Sequence, residues 1–426
     1  MRFSTAIHSL RTSCFHSLML NCASSPVSDV IPRISNHVHS LDLARYGKGD
    51  GRGILNMDWR ARLLTLVGPG LLGGITFSQW RKLLREERFA VDLARLPRAL
   101  SITIQSLKNS VFLRREQEHF GALVEGVSIE PPLFILGHWR NGTTHLHQLL
   151  AQDRRFAFPN GYQTAFPHTF LTTEGTDSRM MSFFLPKRRP MDNMEWTLES
   201  PQEDEFALCV SCLKSPCLSW VFPRRRKHFG RYLTFRDVSP DEIAEWRAAF
   251  ELFLKKLTWK YRRPLVLKSP PHTCRIRLLL EMFPKAKFVH IHRDPYAVFQ
   301  SMRKTWLTMF DWQVLQRPIP SELDDWILDQ HREMYEAFFE ERALIPHGCY
   351  HEMAFEDLEK NPLGEMERLY GALDLPDFGT AEADLQRYIA SVRSYRKNQF
   401  AELQPEIKAR ISSTCRASIE EWGYAR

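Results

Sequence analysis

The clearest alternation of hydrophobic and polar positions starts near Ile129. Leu133–Leu136 is an unbroken apolar run ending in Gly137, and helical spacing takes over from Thr144 to Ala151 after a short polar stretch. The alternation then repeats. Asp241–Tyr261 carries apolar residues at helical spacing, with Ser239 or Asp241 as its N-cap, and leads into a short buried strand at Leu265–Leu267. Arg275–Phe283 reads as a helix stopped by Pro284, Phe288–Ile291 as a strand and Tyr296–Thr308 as a helix. Strands with no polar interruption, alternating with helices, predict an α/β domain with a parallel sheet over 129–426. Between its first two strands, residues 152–230 hold seven prolines (159, 167, 186, 190, 201, 216 and 223). They predict a long loop-rich connection of the kind that covers a site. Within it, Glu205–Leu213 reads as helical.

Ahead of this pattern lies the most apolar segment, Leu63–Trp80. Arg60 and Arg62 precede it, and Arg81, Lys82, Arg85 and Arg88 follow. It sits at the short edge for a membrane span, and Gly68-Pro69-Gly70 interrupts it. Three readings stand: a surface-lying or re-entrant membrane segment, a covering element packed on the core, or a span. The stretch that follows, Trp80–Phe120, is basic and amphipathic and favours the membrane surface. Residues 46–128 therefore read as a helical extension, a candidate for membrane association. Residues 1–45 read as a disordered or mis-assigned tail. A secretory leader there is disfavoured, because His8, Ser9, His16 and Ser17 break its apolar stretch. The expected location is cytoplasmic, peripheral to a membrane.

Composition narrows the picture only slightly. With 426 residues, 43% of them hydrophobic, and 28 Phe, the chain can bury a large core. The net charge of +8 suits an anionic ligand or an anionic membrane surface. The basic runs, such as Arg224-Arg225-Arg226-Lys227, match no nucleic-acid module, so no nucleic-acid partner is expected. That run reads as solvated, or as an attractor for an anionic acceptor or lipid headgroups. Eight scattered Cys do not make a disulfide framework. Cys209-x2-Cys212 lacks a second pair, so these read as buried thiols and no metal is expected.

Two segments carry the chemistry. In Gly137-His138-Trp139-Arg140-Asn141-Gly142-Thr143-Thr144, the strand–loop–helix pattern places backbone N–H groups and a helix N-terminus around an anion. The glycine spacing is that of a Walker A loop, but Thr143 stands where Walker A requires Lys. This loop suits a phosphate without the γ-phosphate and Mg²⁺ arrangement of ATP. Lys287–Met302 repeats the logic. Arg293 follows a strand, Asp294-Pro295 opens a helix, and Ser301 comes eight residues after Arg293, a little over two turns on. Two anion sites on neighbouring strands suit a nucleotide with phosphates at both ends of its ribose.

With these residues the chain resembles sulfotransferases that use 3′-phosphoadenosine 5′-phosphosulfate, of the bacterial type with an Arg-x-Gly-Thr-Thr loop. The resemblance spans about 130–400 and implies a P-loop-like three-layer α/β/α fold. It implies that Arg140, Asn141, Gly142, Thr143 and Thr144 hold the 5′-phosphosulfate, and that Arg293 and Ser301 hold the 3′-phosphate. Cytosolic relatives usually carry Lys where Arg140 stands. Ser394-Tyr395-Arg396-Lys397-Asn398 is similar to the segment that closes over the 3′-phosphate, which makes Arg396 and Lys397 further nucleotide ligands. His351–Leu358 is similar to the family's strand and Tyr-Glu-Asp-Leu-like element.

Lys268 follows the middle strand 25 residues before Arg293, similar to the family's Lys at the transferring group. Such a Lys neutralises charge on the bridging and sulfuryl oxygens. The base is open. Cytosolic relatives place a His two positions after that Lys, but here Pro270 stands there and the nearest His is His272. Glu203 and Glu205 are the rivals, in an acidic run similar to that of bacterial relatives; those acids would equally complement a helix dipole. His138, His145 and His147 read as packing residues. The expected reaction moves a sulfuryl group to a hydroxyl, less readily an amine, of a small-molecule, lipid or carbohydrate acceptor. The rivals are a P-loop kinase or NTPase, which would demand Mg²⁺-ATP, and a catalytically inactive nucleotide-binding membrane protein.

Overall fold

Four short strands form one parallel sheet: β1 (Leu133–Leu136), β2 (Val266–Lys268), β3 (Lys287–His292) and β4 (Tyr350–Ala354), in the order β2-β1-β3-β4. The structure is a computed structural model that describes residues 65–425, apart from 185–193, 195, 196, 394 and 396. Register places Leu133 opposite both Val266 and Lys287, and Ile135 opposite Lys268 and Val289. Side chains alternate across the sheet with period 2. Phe134, Leu136, Leu267 and Phe288 enter one core, while Leu133, Ile135, Val266, Val289 and Ile291 enter the other. This two-sided burial is why the strands read as unbroken apolar runs, and it gives the expected three-layer α/β/α arrangement.

The helices that matter below are α1 (Phe77–Glu86), α2 (Leu96–Glu125), α3 (Thr143–Leu150), α4 (Phe170–Phe184), α5 (Glu205–Ser211), α6 (Pro240–Tyr261), α7 (Pro295–Trp312), α8 (Leu323–Glu341) and α9 (Phe355–Lys360). Leu146, Leu149 and Leu150 of α3 pack on one face of the sheet, and Phe250, Leu254 and Leu257 of α6 on the other. Ser239 caps α6 in a reciprocal capping box with Glu242, and Pro240 takes the first helical position, as the sequence leads one to expect. Helix α7 runs four residues beyond its expected end at Thr308. The connection 152–230 holds more helix than its prolines suggested. Helix α4 was hidden because its Thr-Thr-Glu-Gly-Thr-Asp-Ser core shows no apolar stripe.

From residue 65 on, the apolar segment ahead of the sheet is a covering element. Leu72, Ile75 and Trp80, with Leu83 and Ile102, join the core cluster that contains Phe134. No helix among the described residues is long and apolar enough to cross a membrane. Cys209 and Cys212 are buried thiols whose pKa burial pushes up, Cys212 to about 12.

Several histidines are buried neutral. Burial holds His138 and His168 down to about 4, and burial together with the neighbouring Lys268 charge holds His147 to about 3. The unfolded chain binds these protons at the ordinary histidine value, so the native state binds fewer of them as the pH falls. Stability is then complete above about pH 6.5 and declines toward pH 4, by up to about 1.4 kcal/mol per pH unit for each histidine. Thermal melts should show a falling midpoint between pH 7.5 and 5, and His168→Gln should flatten that slope; a midpoint constant across this range would contradict it.

Candidate active site

The sheet changes direction at β1. The chain leaves β1 for β2 on one side, and β3 returns to the other. Loops after the strands diverge at such a point and leave a crevice at their carboxyl ends. The loop after β1, Lys268 at the end of β2, and Arg293 after β3 all gather there.

Two glycines shape the loop. Gly137 has φ 142°, and a Cβ would lie 2.5 Å from the carbonyl oxygen of Ile291; its N–H donates to Thr273 Oγ1 at 2.8 Å. Gly142 has φ 95°, and a Cβ would lie 2.2 Å from the Phe355 ring. As the N-cap of α3, Gly142 brings no side-chain oxygen to the first-turn N–H groups, so they face an incoming anion. Thr143 is buried and Thr144 half-buried beside them.

Arg140 joins the two motifs. It takes a left-handed φ of 73°, and its Nε donates to Ser301 Oγ at 2.8 Å while its carbonyl accepts from Arg293 Nη1 at 3.0 Å. The Arg293 guanidinium lies 4.4 Å above the Phe355 ring, and the Lys397 ammonium is 5.7 Å from that same ring. Lys397 also pairs with Glu359 at 2.7 Å. Arg396 lies outside the described residues. Asn141 is turned inward: its amide donates to the Ile291 carbonyl and to Tyr335 at 3.0 and 2.7 Å, so its side chain braces the loop.

The acidic run separates into three roles. Glu203 Oε1 accepts from Lys268 at 2.7 Å, and Glu203 Oε2 is buried with no hydrogen-bond partner. Asp204 meets His272 at 2.6 Å, both side chains being wholly buried. Burial pushes the Asp204 carboxyl up, but His272 outweighs it and holds the group below its usual range. Glu205 makes a forked pair with Arg275, at 2.7 and 3.2 Å, also wholly buried. His272 is further wedged between the rings of Phe134 and Phe250. Glu205 spends both carboxylate oxygens on Arg275, while His272 gives Nε2 to Asp204 and keeps a buried Nδ1 without a hydrogen-bond partner. Of the base candidates, only Glu203 sits beside Lys268 with an open oxygen. His138 and His147 are packed and buried, as their sequence context suggested, and His145 is half-buried near Tyr388.

Phe355, Trp139 and Met302 escaped the sequence reading. Phe355 floors the loop and carries both cations. Trp139 and Met302 line a narrow crevice with Trp220 and Gln330. Trp220 meets Trp306 and Phe206 edge-on at 5.9 and 6.1 Å. The signal was adjacency: Trp139 directly precedes Arg140, and Met302 directly follows Ser301.

The model of the Sulfotransferase family matches residues 131–379, more than half of the chain. The chain belongs to the sulfotransferase family. It is 38% identical over 354 residues to "Omega-hydroxy-beta-dihydromenaquinone-9 sulfotransferase Stf3" of Mycobacterium bovis and of Mycobacterium tuberculosis, covering 83% of this chain and 91% of those proteins. Its fold is similar to the crystal structure of sulfotransferase STF9 from Mycobacterium avium, with TM-score 0.57 and 20% identity over 74% of this chain and 82% of that one. The same holds for STF1 from Mycobacterium tuberculosis, with TM-score 0.57 and 17% identity over 83% and 97%. Sulfuryl transfer is thus the reaction class of this bacterial-type member.

Gly142→Ala tests the loop. The left-handed φ and the collision with Phe355 together should cost about 3 kcal/mol of stability, measured by denaturant unfolding. A loss below about 0.5 kcal/mol would mean that loop and ring are not held as described.

Proposed function

We propose that the donor is 3′-phosphoadenosine 5′-phosphosulfate and the acceptor the hydroxyl of a lipid-like alcohol, with Glu203 as the base. The observation that carries this reading is the direct linkage of Arg140 to both Ser301 and Arg293, which joins two anion sites into one cradle. The first-turn N–H groups of α3, with Thr143 and Thr144, take the 5′-phosphosulfate. Arg293, Ser301 and Lys397 take the 3′-phosphate. Thr143 in place of the Walker lysine disfavours ATP.

The acceptor oxygen attacks sulfur in line, and its bond to sulfur forms as the bond from sulfur to the bridging oxygen breaks. The acceptor's proton passes to Glu203, and adenosine 3′,5′-bisphosphate leaves. Lys268 and Arg140 neutralise charge on the bridging and sulfuryl oxygens as it develops. Lys268 is held by Glu203; the donor competes for that ammonium and releases Glu203 Oε1 for the acceptor. The lipid character of the acceptor is supported by the relative at 38% identity, whose name specifies a hydroxylated dihydromenaquinone.

Calorimetric titration tests the donor. Adenosine 3′,5′-bisphosphate should bind without Mg²⁺ and more tightly than Mg²⁺-ATP, and Arg293→Ala should weaken it by about 10- to 100-fold, the worth of a charge-assisted contact. Preference for Mg²⁺-ATP would overturn the reading in favour of a kinase.

Glu203→Gln tests the base. It should lower kcat by about 10²- to 10⁴-fold while leaving bisphosphate affinity within a few-fold. A kcat within a few-fold of wild type would remove Glu203 from that role.

A further inference from the structure

Helix α2 is built inside out. Its exposed apolar residues, Leu96, Leu100, Ile104, Leu107 and Val111, recur every three or four positions and form one stripe about 22 Å long. Its buried face is mostly polar instead: Arg98, Ser106, Asn109 and Glu116, beside the apolar Ile102 and Val124. Arg98 Nη1 donates to the Val314 carbonyl at 2.9 Å, and Asn109 donates to the carbonyls of Gly73 and Ile75 at 2.8 and 2.9 Å. Glu116 pairs with Lys256 and accepts from the Thr172 N–H. Hydrogen bonds and ion pairs therefore help fix the helix to the body alongside Ile102, and its long apolar stripe is turned away from the core.

The stripe continues past the start of α2. Leu93 is 83% exposed and Phe89 is 63% exposed. Arg88 and Phe89 take consecutive left-handed conformations, with φ 52° and 56°, which are costly for bulky side chains. The turn thus spends backbone strain on a phenylalanine pointing at solvent. An apolar surface of this extent is unusual unless something covers it.

Charge indicates what that is. Arg81, Arg85 and Arg88 are exposed on α1 and the turn that follows it, and Arg114 and Arg115 are exposed where the stripe ends on α2. The exposed acids of these segments, Glu86, Glu118 and Glu125, are fewer. Glu87 and Asp92 are matched by Arg225 and Arg224, which brings the Arg224–Lys227 run to the same end of the stripe. Apolar side chains bordered by arginines match a bilayer interface with anionic headgroups, where the chains enter the acyl boundary and the guanidiniums meet phosphates.

We infer that residues 89–111 dock the protein onto an anionic membrane surface. The inference goes beyond the lipid-alcohol reading and does not use its chemistry. It moves membrane contact away from 63–80, whose residues Leu72, Ile75 and Trp80 lie in the core.

The test is co-sedimentation of the full chain with phosphatidylcholine vesicles, with and without 30 mol% phosphatidylglycerol (about one anionic lipid in three). The triple variant Leu100→Ser, Ile104→Ser, Leu107→Ser is compared with wild type, and a thermal melt of the variant reports that its fold is intact. Wild type should bind the anionic vesicles at least about tenfold better than neutral ones, and the variant should lose at least about tenfold. Absence of wild-type binding, or binding unchanged in the variant, overturns the inference. A wild-type dimer that the variant dissolves, without vesicle binding, assigns the face to a second copy and also overturns it. Because none of these readouts requires turnover, a failed donor or acceptor assignment leaves the docking result intact, and the reverse.

Discussion

Three consecutive acids, Glu203, Asp204 and Glu205, are clasped by Lys268, His272 and Arg275, and the active-site wall hangs on that clasp. One side belongs to the long connection between β1 and β2, and the other to the turn that follows β2. Nothing in the sheet's own hydrogen bonding holds these segments together at the crevice. The pairs differ in their surroundings, and so in what they do. Glu205–Arg275 and Asp204–His272 are wholly buried; removing one partner of such a pair leaves a stranded charge, at about 3–5 kcal/mol. Glu203–Lys268 sits at the edge, where Glu203 keeps some exposure and an unused oxygen. The inner pairs lock the register of the clasp, which places the outer pair beside the loop.

Much of this was legible from the chain. The strands were readable because both sheet faces are buried, which turns each strand into an apolar run. The loop was readable because only glycine tolerates the φ of Gly137 and Gly142 against Ile291 and Phe355. Arg293 and Ser301 stand out in the sequence because one follows a strand and the other lies two turns into α7, and Ser301 Oγ lies within reach of Arg140. The base was not readable. Glu203, Glu205 and His272 are all reasonable acids or bases by residue type, and the choice depends on which partners burial assigns to them. Those partners are distant in sequence, and no local pattern pairs Glu205 with Arg275. The stretch Trp80–Phe120 reads as basic and amphipathic, but periodicity does not say which face of α2 turns inward. Burial of Arg98, Asn109 and Glu116 reverses the usual assignment.

The buried ammonium of Lys268 constrains how the site works. At 1% exposure it cannot stand without a counter-charge, and Glu203 supplies one. On the reading proposed above, the donor's sulfuryl group supplies it instead, and the two anions compete for one cation. Glu203 then becomes a free base only when the donor is in place. A site arranged in this way suppresses proton abstraction in the absence of donor, and it ties the base to the step that needs it. The same competition means that Lys268 and Glu203 act as a unit. Removing either partner changes the charge state of the other, so single substitutions at the two positions will not add, and only a double-mutant cycle separates leaving-group stabilisation from base strength.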